Sequence, residues 1–274
     1  MTKPRRFSHT SMSTWRRCKQ RYFWKYVKNY VPVAGVGLIK GSACHKAMDE
    51  WYRTADDKEA MRIAMDHLTD AEMTLDSSLD KEWDLLQVVL PRYFDWARDN
   101  DSFTVEKTEF KFEIDIAGIP VIGYIDGIVK IKDMTWILEH KFLKQVSTGH
   151  LDVDAQISLY MLASHKIGLN PYGVLYNIVR MTKGGKAANE PVERIRLFRN
   201  IEGLEYIENE ITKQLGEMRD FHENVPNVGY MIYRTPVREC AWDCSFFPVC
   251  QSINDCGDAD IILESFERDF TRDA

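Results

Sequence analysis

A mixed α/β chain, with one central mixed sheet flanked by helices, is what three features of this 274-residue sequence predict. Three β-branched and aromatic stretches follow one another between about residues 103 and 142, separated by turn residues. Apolar stripes at helical spacing precede and follow them. Past the N-terminal helices the elements run βββ–α–β–β–α, an order that suits helices packed on the faces of a sheet.

The elements follow in chain order. Ser11 or Ser13 suits an N-cap for a helix through about Lys28, with Trp15, Cys18, Tyr22 and Tyr26 at helical spacing. Pro32 and the glycines at 35, 37 and 41 read as a loop, and a helix follows over about Ser42–Arg53. Residues 57–99 carry two more stripes, Ala60, Ile63, Ala64 and Leu68, then Leu85, Leu86, Val89 and Tyr93. Strands are expected at about 103–116, 119–131 and 136–142, the last two joined as a hairpin through Lys132-Asp133-Met134-Thr135. A helix is expected over 152–166, with Ala155, Leu159, Leu162 and Ala163 as one stripe. Strands return at 172–181 and 192–199 around the turn Thr182–Lys186, and a helix over 203–222 leads to a cysteine-rich end.

Composition bounds the function. At 45% apolar and 28% charged residues the chain belongs with globular proteins, and no apolar run approaches the ~18 residues of a membrane span. No apolar segment follows the basic N-terminus, so no signal peptide is visible, and the cytoplasm is the expected compartment. There six cysteines are not expected to form disulfides. Net charge is −6, yet residues 1–48 hold eleven Lys or Arg and no acid. That asymmetry gives either a basic face or a solvated helix surface.

The chemistry concentrates in the hairpin. Asp126 interrupts the apolar run Val121–Val129, and Glu139 follows Trp136-Ile137-Leu138. Alternate strand residues share a face, so Glu139 and Lys141 point the same way. Two carboxylates and a lysine on a sheet face are costly to bury unless paired or bound to a cation. Mg²⁺ and Mn²⁺ take such oxygen ligands, lower the pKa of a water and stabilise charge on a phosphoryl oxygen. The same residues also suit a structural salt bridge. A second cluster, Cys240, Cys244 and Cys250 at C-x3-C-x5-C spacing, suggests zinc or an iron–sulfur cluster.

The order of elements around the hairpin resembles the PD-(D/E)XK nuclease superfamily. The likeness is to the RecB-like exonuclease branch, with the iron–sulfur nucleases of CRISPR adaptation and bacterial recombination. It rests on Ser11-Met12-Ser13 leading to Cys18, on Gly41–His45, on Gly123–Asp126, on Glu139-His140-Lys141 and on Gln156–Tyr160. The resemblance implies a restriction-endonuclease-like core within one nuclease domain over 1–274. Its parts would be helical (8–100), catalytic (101–223) and cysteine-rich (224–256), the last packed on the N-terminal helix. It implies His45, Asp126 and Glu139 as divalent-metal ligands, with the backbone carbonyl of His140, and Lys141 as the catalytic lysine. Gln156 and Tyr160 would line the site.

The resemblance further implies a 4Fe–4S cluster held by Cys18, Cys240, Cys244 and Cys250, joining the N- and C-terminal segments. The first late spacing is three residues where the family has two, which keeps Cys256 as a rival ligand and zinc as the alternative. Cys44 is then a bystander. The implied activity is a metal-dependent deoxyribonuclease on single-stranded DNA or DNA ends, with Arg16, Arg17, Lys19, Arg21 and Tyr22 contacting the strand. No phosphate-binding Gly-x4-Gly-Lys-(Ser/Thr) loop is present, so a helicase, recombinase or CRISPR adaptation protein would be a separate partner. The competing readings are a non-catalytic binding module of the same fold and an endonuclease or RNA-processing enzyme.

Overall fold

From the N-terminus the computed structural model runs β1 (Phe7–Ser8), α1 (His9–Arg17), α2 (Lys19–Tyr22, continued by a π-helical turn over Phe23–Val27) and β2 (Tyr30–Val31). Three long helices follow, α3 (Val36–Thr54), α4 (Asp57–Glu72) and α5 (Asp80–Asn100). Then come β3 (Thr104–Ile116), β4 (Ile119–Ile131), β5 (Met134–Leu143), α6 (Ala155–Lys166), β6 (Gly173–Arg180), α7 (Lys186–Asn189) and β7 (Val192–Leu197). The chain ends in α8 (Ile201–Val228), α9 (Cys240–Asp243), α10 (Phe247–Asn254), α11 (Ala259–Leu263) and β8 (Glu267–Arg268). The structure describes residues 5–32, 34–75, 77–228 and 232–269. Lys3 of the basic segment, residues 229–231 of the cysteine-rich part and the end of the acidic tail lie outside the described residues.

The expected mixed sheet is present. Six strands run in the order β1–β4–β5–β6–β7 with β3 on β4, and β2 pairs with β8 separately. β1–β4 and β5–β6 are parallel, while β4–β5 and β6–β7 are antiparallel. The hairpin closes with Ile131 opposite Met134, and Lys132 takes the left-handed backbone of a two-residue turn (φ 55°). Among the described residues no helix is long and apolar enough to cross a membrane.

Two compact units make up the chain: Met1–Val33 with Glu113–Ile122 and Tyr206–Ala274, and Ala34–Phe112 with Gly123–Glu205. The second is built on the buried faces of α3, α4 and α5, where Ile39, Ala43, Ala47, Leu68, Leu90 and Phe94 pack together. Trp51 stacks flat on Phe94, ring centres 5.2 Å apart. In the first unit Phe23, Trp24, Tyr30, Phe246, Val249 and Leu263 form a smaller core.

Three helix boundaries differ from the sequence expectation, each for a physical reason. Ser8, not Ser11 or Ser13, caps α1; Ser11 sits three residues on and completes a reciprocal capping box, its Oγ accepting the Ser8 N–H at 2.9 Å. The first helix stops at Arg17 rather than Lys28, because Cys18 is extended (φ −162°, ψ 117°) before α2 begins. The glycines at 37 and 41 lie inside α3, not in a loop. An interior helical glycine costs ~1 kcal/mol relative to alanine, but burial of Ile39 in line with Ala43 and Ala47 carries the helix back to Val36.

Gly123 is needed for space. A Cβ there would lie 2.4 Å from Cζ of Phe112, a ring buried edge-on against Tyr160. Gly123→Ala should therefore lower stability by about 1–3 kcal/mol, seen as a lower denaturant midpoint with an unchanged slope. An unchanged midpoint would contradict the packing described.

Candidate active site

All of the carboxylates, the lysine and the histidine singled out in the hairpin and its surroundings fall in the second unit. Glu139 and Lys141 alternate on β5, and Lys141 Nζ donates to Glu139 Oε1. Asp126, on β4, accepts the backbone N–H of His140 at Oδ2 (2.7 Å). Its other oxygen meets Nδ1 of His45 at 3.2 Å, so the helix residue and the strand residue share one point. The His45 ring is held edge-on by Phe142, 5.1 Å between centres. On α6, Gln156 Nε2 donates to Tyr160 Oη at 2.8 Å, one helical turn apart.

The His140 ring turns to the other side of β5. Its Nε2 lies 2.8 Å from Tyr93 Oη, which joins Tyr52 and Asp101 in a buried chain. Arg194 closes the chain by bonding both Asp101 and Asn177. A polar network of this kind rigidifies the strand that carries Glu139 and Lys141.

One carboxylate was not foreseen. Glu109 on β3 places an oxygen within 4.8 Å of ligand atoms of His45 and Asp126, giving a candidate divalent-metal triad. It does so from a left-handed backbone (φ 42°), which a non-glycine residue adopts at a cost. In the alternation Glu-Lys-Thr-Glu-Phe-Lys-Phe-Glu over 106–113 it reads as one more solvated acid. The backbone twist that aims it leaves no mark in sequence.

Electrostatics mark the same residues. Glu139 is 1% exposed, and its Oε2 has no hydrogen-bond partner. Burial, then the charge of Asp126, push its carboxyl up to about 7 against the pull of Lys141. Burial raises Asp126 too, but His45 and His140 outweigh it and hold the carboxyl well below the usual range. Burial and Asp126 raise Glu109. Burial opposes the charge on His45 and Lys141, yet Asp126 and Glu139 respectively keep each raised. Burial also raises Tyr160, which feels the charge of Glu139.

A buried carboxylate oxygen without a donor, beside the carboxylates of Glu109 and Asp126 and the borderline imidazole nitrogen of His45, fits Mn²⁺ or Mg²⁺. Cation binding needs Glu139 and His45 unprotonated, and both are raised. Apparent Mn²⁺ affinity should therefore fall as pH drops through about 7, by about tenfold per pH unit for each proton the cation displaces, measurable by calorimetry with proton release. A raised Glu139 contributes stability below its unfolded pKa and loses it as pH rises through 7, where Mn²⁺ restores it.

The sequence matches the PD-(D/E)XK nuclease superfamily over residues 6–251. This chain belongs to that superfamily. Its members' chemistry makes it a phosphodiesterase-type enzyme, and the nuclease fold implies interaction with DNA. A solved structure from Eubacterium rectale, described as a candidate exonuclease, is similar with a TM-score of 0.55 at 9% identity, covering 88% of this nuclease and 93% of that chain. The structure of SSO0001 covers 88% and 94% at 13% identity, with a TM-score of 0.35, too low for a fold inference. Among curated proteins none matches this sequence.

The other predicted residues lie in the first unit. Cys18, Cys240, Cys244 and Cys250 line one cavity of about 530 Å³, together with Arg17, Arg21 and Arg234. Cys256 is exposed and outside that lining. Burial raises Cys244 and Cys250, opposed by Arg21 and Arg234 respectively. Cys44 is buried in α3, its thiol pushed up to about 12 by burial. Among the basic residues of the first helices, Arg16 bonds Gln214 at 2.8 Å, and Arg17 and Arg21 both pair with Asp243.

Proposed function

We propose that this nuclease is a metal-dependent deoxyribonuclease that hydrolyses phosphodiester bonds at DNA ends or in single strands, in the manner of RecB-like exonucleases. The observation that carries the reading is Glu139, buried with one oxygen bound to Lys141 and the other without a donor, beside His45 and Asp126. Such an arrangement is costly without a cation and useful with one. His45, Asp126, Glu109 and Glu139, with the carbonyl of His140, would hold Mg²⁺ or Mn²⁺, which supplies Lewis acidity toward a phosphoryl oxygen. Lys141 stays charged because its pKa is raised, so its Nζ donates to the developing anion rather than accepting a proton. Glu139 Oε1 fixes the ammonium. Gln156 and Tyr160 form a wall for the strand.

The cavity shared by Cys18, Cys240, Cys244 and Cys250 supports the 4Fe–4S part of the reading, and Cys256, outside it, is the weaker fourth ligand. Zinc held by the same thiolates is the alternative. In this reading the helical, catalytic and cysteine-rich segments serve one nuclease domain, with any helicase, recombinase or CRISPR adaptation partner supplied separately.

The substrate test uses Mn²⁺ with linear single-stranded DNA, the same strand blocked at its 5′ or at its 3′ end, closed circular single-stranded DNA, and RNA. Degradation of the linear DNA that one blocked end prevents, with the circle intact, is expected. Cleavage of the circle would make the enzyme an endonuclease, and preference for RNA would move it to RNA processing.

A further inference from the structure

A groove in the second unit is used by none of the roles assigned so far. It encloses about 620 Å³. Four lysines reach it from four different segments: Lys40 on α3, Lys81 on α5, Lys144 after β5 and Lys183 after β6. Two are compensated, Lys40 by Glu82 at 3.7 Å and Lys183 by Asp84 at 3.0 Å. Lys81 and Lys144 are exposed and have no acidic partner among the described residues, so the groove carries two uncompensated positive charges. The turn bearing Lys183 is fixed, because Arg92 donates to the carbonyls of Thr182 (3.0 Å) and Lys183 (3.2 Å).

The groove adjoins the candidate metal site at His45. Phe142 lines it and at the same time meets the His45 ring edge-on. One face of α3 carries Gly37, Gly41 and His45 at i, i+4 and i+8. A Cβ at either glycine would meet nothing within 4 Å, so neither is glycine for the sake of internal packing. Bare helix backbone is what close approach of a ligand requires.

We propose that this groove is the path by which one nucleic-acid strand reaches the site, with Lys81 and Lys144 holding its phosphates and the bare face of α3 giving it room. The proposal rests on the nuclease reading and names where its substrate lies. Phosphate contacts are independent of base and largely of sugar, so DNA and RNA strands should lose affinity alike when they are removed.

The test measures anisotropy of fluorescein-labelled oligo-dT and oligo-rU bound to the full chain in EDTA, over a salt series. For Lys81→Ala/Lys144→Ala the slope of log affinity against log salt should shrink by about 1.4, two contacts at ~0.7 each. Affinity at low salt should fall tenfold or more for both strands. An unchanged melting temperature and Mn²⁺ affinity would show that the variant is folded with its metal site intact. Gly37→Met separates path from packing: it should raise the melting temperature and still weaken strand binding. Wild-type binding with the same slope and affinity in the double variant overturns the groove while leaving the nuclease reading standing. A wild type that binds neither strand and cleaves neither DNA nor RNA in Mn²⁺ removes both.

Discussion

Asp126→Asn should lose Mn²⁺ binding and at least about a thousandfold of phosphodiester hydrolysis. Asp126 is where the site is tied together. One oxygen faces His45 at 3.2 Å, the other accepts the His140 N–H at 2.7 Å, and Glu109 approaches the same atoms. The amide keeps the shape but drops the charge that holds His45 and the cation. A metal-stabilised transition state is worth several kcal/mol, and about 4 kcal/mol is roughly a thousandfold in rate. Glu109→Gln should weaken Mn²⁺ less, because Glu109 is the less buried of the two carboxylates and its charge the more screened. Calorimetric titration with Mn²⁺ measures both; equal affinity in Asp126→Asn and wild type would remove Asp126 from the ligand set.

Cys18→Ser is expected to have the largest effect on stability. Cys18 and Cys240 are some 220 residues apart, and a shared cluster would close that loop. The chain-entropy argument for crosslinks gives about 5 kcal/mol of denatured-state restriction. At roughly 2–4 °C per kcal/mol for a chain of this size, the melting temperature should fall by about 10–20 °C. Protein purified without oxygen should be coloured, carry iron and sulfide, and lose both with the Cys18→Ser change. Cys256→Ser should keep them. Colourless protein with one zinc per chain would defeat the iron–sulfur assignment, and loss of cofactor from Cys256→Ser alone would replace Cys18 in the ligand set.

What the sequence discloses and what it hides follow from the range of the interactions. The β4–β5 hairpin is legible because its strands alternate and its turn residues are local signals. Asp126 and Glu139 stand out because each is an acid within a run that otherwise belongs in a core. The start of α3 is not legible: Gly37 and Gly41 are local signals for a loop, and the burial of Ile39 that overrides them is tertiary. The break at Cys18 is equally hidden, since the residues on either side keep helical spacing. Glu109 could not be found from its neighbours, because its role depends on a left-handed backbone within a strand and on β3 lying beside β4. The lysine groove draws on four segments spread over some 140 residues of chain, and only the fold assembles it.

Digestion of end-labelled single-stranded DNA in Mn²⁺ decides whether Lys141 and its carboxylates catalyse phosphodiester hydrolysis. Wild type should degrade the strand, EDTA should stop it, and Lys141→Ala should slow it by about a hundredfold to a thousandfold, the usual cost of removing one donor to a developing anion, while still binding Mn²⁺. Undiminished digestion by both Lys141→Ala and Asp126→Ala would contradict the site.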